Sequence, residues 1–182
     1  MAISIKDLAN NLGKSGLNFD TDNPIQLVLG QWVLERIKVA QAKLDEPKGS
    51  NPSRSSNASG SLRNSIAPET RTFGSKVVVD IMANSYWDNL NSGVNGTLVN
   101  FGSPYSFISK GPAVNDIARW IRDRNIQPQN PTMTRQELAV IISDSVKRKG
   151  IAPVPFMDEA FNDQAVRDLA DRLTKEIKIN FI

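Results

Sequence analysis

Apolar residues recur at spacings of three and four from Ile25 to Leu44, which is the repeat of one face of an α-helix. Asn23 and Pro24 stand directly before this pattern, and a capping Asn followed by Pro at the first helical position is typical of a helix start. Charged and amide side chains fill the opposite face. The sequence therefore predicts a long amphipathic helix over residues 24–44, and the rest of the fold must cover its apolar face.

The best strand signal is the run from Val77 to Met82. Its β-branched residues stand next to one another rather than alternating with polar ones, which predicts a strand covered on both faces. Residues 70–73 are a candidate partner strand, because Gly74 and Ser75 between the two runs favour a tight turn. We therefore expect a small antiparallel sheet.

Three further helices are predicted towards the C-terminus. Gly111 and Pro112 open the first, and Thr134 with Glu137 forms a capping box that opens the second. The residues expected to be buried in the second helix are Leu138, Ile141, Ile142 and Val146. The apolar positions of the last helix, which shifts phase near Asn162, are Phe156, Ala160, Val166, Leu169, Leu173 and Ile177.

This order of elements predicts an α+β fold, in which a small antiparallel β-sheet packs against the long amphipathic helix and the C-terminal helices. We expect a single domain over residues 23–182, with residues 1–22 as an N-terminal extension. Residues 47–61 are rich in Ser, Asn, Gly and Pro, and predict a long flexible loop or arm. This segment is either a tolerated surface loop or an arm that orders on a partner.

Leu62 and Ile66 stand one helical turn apart at the end of this arm. We expect them to anchor its C-terminal root against the long helix or the sheet, with Arg63 and Asn64 facing outwards.

Two missing residue types restrict the chemistry. The chain has no His and no Cys, which excludes Ser-His-Asp hydrolysis, Cys-His chemistry, disulfides and His- or Cys-based metal sites within it. We therefore expect no catalytic, metal or cofactor site. A magnesium-dependent carboxylate enzyme is the remaining enzymatic alternative, motivated only by the number of Asp residues.

The bulk properties are those of a globular chain. No apolar run has the roughly 18–20 residues of a membrane helix, and the N-terminus lacks a signal-peptide pattern, so we expect a soluble, non-exported protein without membrane contact. The net charge of +3 permits contact with nucleic acid without requiring it.

Five elements follow one another in the sequence. The amphipathic helix ends before a polar loop, and the elements after it are Ser59–Ile66 (SGSLRNSI), Val77–Val79, Tyr86–Gly93 (YWDNLNSG) and Gly150–Met157. In order and spacing, over roughly residues 25–180, this series resembles the neck, or head–tail joining (tail-completion), proteins of tailed bacteriophages. The chain departs from that pattern at Asn91-Ser92, where an acidic residue is common, and in a longer segment from Asn95 to Asn130.

The resemblance implies a structural virion protein without chemistry of its own. Its partners would be copies of itself in a closed ring, other neck, connector and tail proteins, and the packaged DNA backbone in the ring lumen. It would lie at the head–tail junction after assembly in the host cytoplasm. The residues we predict at its oligomer or partner interfaces are Lys48, Arg54, Arg63, Trp87, Asn95, Phe101 and Tyr105. A tail terminator and a non-catalytic nucleic-acid-binding accessory protein remain alternatives.

Overall fold

The computed structural model describes residues 23–48, 54–56, 59–73 and 76–181. Seven helices and four strands form within these residues. In chain order they are α1 (Pro24–Asp45), β1 (Pro47–Lys48), β2 (Arg54–Ser55), α2 (Ser61–Ser65), β3 (Ala67–Phe73), β4 (Lys76–Met82), α3 (Trp87–Asn91), α4 (Val114–Asp123), α5 (Arg135–Lys149), α6 (Phe156–Ala160) and α7 (Asp163–Phe181). The fold class is α+β, as the sequence predicts. The predicted extension, residues 1–22, lies outside the described residues.

The described chain divides into two compact units. The first unit comprises residues 23–43, 63–73, 76–84 and 156–181, and the second comprises residues 44–48, 54–56, 59–62 and 85–155. The single domain expected over residues 23–182 stays a prediction.

In the first unit, α1 carries the core. Asn23 caps the helix, because its side-chain oxygen accepts from the backbone N–H groups of Ile25 at 3.0 Å and Gln26 at 3.3 Å. Trp32 is buried, donates through its indole N–H to the backbone oxygen of Ala165 at 3.0 Å, and meets Phe161 edge to face. The predicted long helix is confirmed, and these contacts join it to the C-terminal helices.

β3 and β4 form a two-stranded antiparallel hairpin in register from Ala67 opposite Met82 to Phe73 opposite Lys76. Gly74 and Ser75, the predicted turn, lie outside the described residues. Among the residues described, β4 pairs only with β3, so the expectation of a strand covered on both faces is wrong: residues Val77 to Ile81 are only partly buried. The valine run serves one face, where Val77 and Val79 pack against the apolar core beside Leu27, Leu29 and Leu34 of α1.

The C-terminal region contains two helices rather than one. α6 ends at Ala160, and Asn162 then starts α7 by accepting from the backbone N–H of Ala165 at 2.9 Å. This break is the physical cause of the phase shift in the sequence. Phe156 and Ala160 are buried as predicted, whereas Val166 and Ile177 are exposed, because α7 turns Ala165 and the Arg172–Glu35 ion pair towards α1 instead.

The segment 47–61 is not structureless throughout. β1 and β2 pair antiparallel, with Pro47 opposite Ser55 and Lys48 opposite Arg54, so the ends of the predicted arm are held together by backbone pairing. Residues 49–53 and 57–58 lie outside the described residues. At the root of the arm, Leu62 and Ile66 are both buried and Asn64 is exposed, which confirms the predicted anchor.

In the second unit, Thr134 and Glu137 make the predicted capping box of α5, and Gly150 ends the helix with φ of 75°. The buried face of α5 differs from the prediction. Ala139 and Ser143 are buried, whereas Ile141 is 52% exposed. The reason is the close approach of residues 111–112: the Ser143 hydroxyl donates to the Pro112 oxygen at 2.7 Å, and a Cβ on Gly111 would lie 2.9 Å from the Ser143 oxygen.

Candidate functional site

A groove of about 750 Å³ lies in the second unit. Buried apolar side chains, among them Leu44, Leu62 and Val94, form part of its lining. Exposed aromatic and polar residues also line it: Tyr86, Asn89, Asp116, Arg119, Trp120 and Asp123. An apolar interior with a polar, aromatic edge is the usual composition of a binding site.

One edge of the groove is a face of α4. Asp116, Arg119, Trp120 and Asp123 recur at helical spacing and therefore lie on the same side of the helix. Arg119 contacts the Asp116 carboxylate at 3.8 Å, and Asp123 contacts Arg122 at 3.4 Å. The lining contains two carboxylates and one guanidinium, which leaves it with one excess negative charge.

Tyr105 crosses from the groove lining to a buried acceptor. Its hydroxyl donates to Asp88 of α3, whose other carboxylate oxygen accepts from the Ser92 hydroxyl at 3.0 Å. The pKa of Tyr105 is raised above its ordinary value, first because ionisation would lose this hydrogen bond, and then through burial and the nearby carboxylate charge. Tyr105 therefore stays protonated and fixes the loop to α3 at neutral pH.

Asn95 organises the loop that carries Tyr105. Its side-chain nitrogen donates to the Ser103 oxygen at 2.7 Å and to the Ser106 hydroxyl at 3.1 Å. Its side-chain oxygen accepts from the backbone N–H groups of Phe101 at 2.7 Å and Ser103 at 3.2 Å. Backbone bonds from Asn95 to Tyr105 and from Phe107 to Asn95 complete the arrangement. Asn95 thus shapes the groove wall from within the loop.

The same loop closes the end of α5. Val94 and Ile151 exchange two backbone hydrogen bonds, at 2.9 and 2.8 Å. The N–H groups of Thr97 and Leu98 donate to the oxygens of Lys147 and Arg148, which are carbonyls that a helix end leaves unpaired. Gly96 permits this approach, since a Cβ there would lie 2.2 Å from the Arg148 oxygen.

The predicted interface residues fall in different places. Asn95, Phe101 and Tyr105 come together in one loop of the second unit, where only Tyr105 lines the groove. Trp87 is half-buried on α3, in the same unit. Arg63 belongs to the first unit, where its backbone oxygen accepts from the Gln41 side chain at 3.1 Å. Lys48 and Arg54 lie on β1 and β2, and their side chains lie outside the description. The interface role of all seven stays a prediction.

Sequence reasoning missed most of the groove. Trp120 and Tyr86 stood out as aromatic residues, but nothing local connects them to Leu62 or Phe107. A usable signal was the repeat of Asp116, Trp120 and Asp123 on one face of α4, which places polar and aromatic side chains on a helix whose buried residue is Ile121.

Two searches of the described residues gave negative results. No group of three or more His, Cys, Asp or Glu side chains is placed to hold a metal ion there. No helix within that part of the chain has the length and apolar character to cross a membrane. Comparisons with protein-family models, curated protein sequences and solved structures found no match for this chain.

Proposed function

We propose that this chain is a structural protein of the neck of a tailed bacteriophage. Copies of it would form a ring that joins the portal–connector complex to the tail around the DNA channel. The ordered motifs from SGSLRNSI to Gly150–Met157 support the family, and the surface of the described chain supports a role in assembly.

The observation that carries the proposal is the distribution of exposed, large apolar side chains. They occur in small groups on separate elements rather than singly, and groups of this kind mark contact surfaces. Those of the first unit are Phe73 and Met82 on the β3–β4 hairpin and Val166, Ile177 and Ile179 on α7. Those of the second unit are Leu98 and Ile108 on the loop and Val140 and Ile141 on α5.

A ring subunit needs such a surface. Neighbours in a ring meet head to tail, so each copy presents two different contact faces, and a neck ring also meets a partner above and below. Exposed apolar groups in both units meet this requirement, whereas a monomer rarely exposes several of them.

The alternatives fit the surface less well. A tail terminator would also form a ring and differs in its position in the particle. For a nucleic-acid-binding protein we would expect a continuous basic surface. In the described chain several cations instead pair with carboxylates, including Arg148 with Asp144 at 2.9 Å and Lys43 with Glu159 at 3.0 Å.

Sedimentation velocity and negative-stain electron microscopy of the purified protein test the proposal, together with its detection in purified particles. We expect concentration-dependent rings and a place at the head–tail junction. A protein that stays monomeric and is absent from the particles would refute the neck role. Salt-dependent duplex binding by a protein that forms no ring would favour the nucleic-acid alternative.

A further inference from the structure

We infer that the far end of the β3–β4 hairpin of one copy docks into the groove of the next copy, with Phe73 as the apolar anchor and Lys76 facing the groove carboxylates. This inference rests on the proposed ring and names the contact that would close it.

The hairpin end has the properties of an anchor. Phe73 is 62% exposed, more than any other described aromatic side chain that is largely exposed. It belongs to the last of seven paired positions, opposite Lys76, so at about 3.3 Å per residue it lies roughly 20 Å along the hairpin from the Met82 end. Buried aromatic anchors at the centre of a contact commonly dominate its affinity.

The groove has the matching apolar chemistry. Tyr86, Phe107 and Trp120 line it, and an entering phenyl ring would meet their rings edge to face or offset, which are the favoured aromatic arrangements. Its volume of about 750 Å³ exceeds what one phenyl ring fills, so the backbone and side chains next to Phe73 would enter with it.

The charges also match. The groove lining has one excess negative charge, with Asp116 at its exposed edge. The hairpin end presents Lys76, which is exposed, and Arg71, which pairs with Asp80. A docked Phe73 would bring the Lys76 ammonium, which has no ion pair among the described residues, to the groove edge.

A second copy is the occupant that these observations favour. The anchor lies in the first unit and the groove in the second, so every copy carries both and they are different surfaces. Repetition of such a contact between neighbours is the head-to-tail arrangement that closes into a ring.

The test compares Phe73→Ala with Met82→Ala. Met82 is the matched control, because it is 51% exposed at the opposite end of the same hairpin. We expect Phe73→Ala to weaken self-association at least about 30-fold by sedimentation, the effect of losing a hot-spot residue, with an unchanged melting temperature. Met82→Ala should assemble as the wild type does. Lys76→Glu should also weaken assembly, and adding Asp116→Lys should restore it.

A mixing experiment tests the groove. Phe73→Asp retains a groove, and Trp120→Ala retains a hairpin, so neither variant should grow alone. Mixed in equal amounts, they should form one-to-one pairs and nothing larger.

The outcomes separate this inference from the proposed function. If the wild type forms rings and Phe73→Ala forms them equally well, the contact is wrong and the ring stands. If Phe73→Asp and Trp120→Ala form no pair when mixed, Phe73 binds a surface other than the groove. If Phe73 variants lose only binding to another virion protein, the occupant is that protein and the inference fails. A wild type that never self-associates and is absent from particles overturns both.

Discussion

Replacing Asn95 with Ala should destabilise the second unit by removing the side chain that holds the groove loop. Four side-chain hydrogen bonds would be lost, two donated to the Ser103 oxygen and Ser106 hydroxyl and two accepted from the Phe101 and Ser103 N–H groups. Each is worth about 0.5–1.5 kcal/mol net. Because the sites are part-exposed and water can replace some partners, we expect a loss of about 3 kcal/mol in the free energy of unfolding, a large share of a typical domain's stability.

Asn95→Asp is the matched control. Its carboxylate can still accept from the Phe101 and Ser103 N–H groups but can no longer donate to Ser103 and Ser106. We expect a smaller loss, about 1–2 kcal/mol, from the two donor bonds alone. Urea unfolding followed by tryptophan fluorescence measures both variants, since the chain contains three Trp residues and two of them, Trp87 and Trp120, lie in the second unit.

One result would refute this reasoning. If Asn95→Ala changed the unfolding free energy by less than about 0.5 kcal/mol, as ordinary surface substitutions do, the loop would not depend on the side chain. If the same variant also blocked assembly, Asn95 would be a contact residue, as the sequence resemblance predicts.

Three further predictions use the same protein. Leu62→Ala should cost about 2–4 kcal/mol in urea unfolding because it empties a buried position, and an unchanged midpoint with failed assembly would make Leu62 an interface residue instead. Gly96→Ala should destabilise far more than Gly102→Ala, since a Cβ at Gly96 would lie 2.2 Å from a carbonyl oxygen of α5 whereas at Gly102 nothing lies within 4 Å; equal losses would contradict the loop–helix clamp. One of the two tyrosines should ionise above pH 10.0 in an absorbance titration, and Asp88→Asn should lower that pKa; since the pKa of Tyr105 is raised on folding, its contribution to stability is present below pH 10.0 and is lost as pH rises through the raised value.

Elements with strong local signals could be predicted from the sequence. Asn23 and Pro24 start α1, Thr134 and Glu137 start α5, and the β-branched run becomes β4, because caps and strand propensity act within a few residues. The number of partners that β4 would have was not predictable, because a β-branched run looks the same in a buried strand and in a two-stranded hairpin.

The buried face of α5 could not be read from the sequence either. Val140, Ile141 and Ile142 are consecutive, so the apolar pattern has no single phase. The face that is buried carries Ala139 and Ser143, small residues that permit the close approach of Gly111 and Pro112. Small residues carry little hydrophobic signal, and the partner segment lies some thirty residues away.

The groove was the least predictable feature. Its lining brings Leu62, Val94, Trp120 and Ile151 together from four separate stretches. Asn95 was identified as a residue of interest through the family resemblance, but its hydrogen bonds to residues six to eleven positions later depend on a loop conformation that no local rule specifies.

Electron cryo-microscopy of intact virions tests the central proposal most directly, because it reports location, symmetry and subunit contacts together. We predict a closed ring of this chain at the head–tail junction, in which the hairpin of each copy lies in the groove of its neighbour. A reconstruction whose head–tail junction contains no copy of the chain would contradict the proposed function.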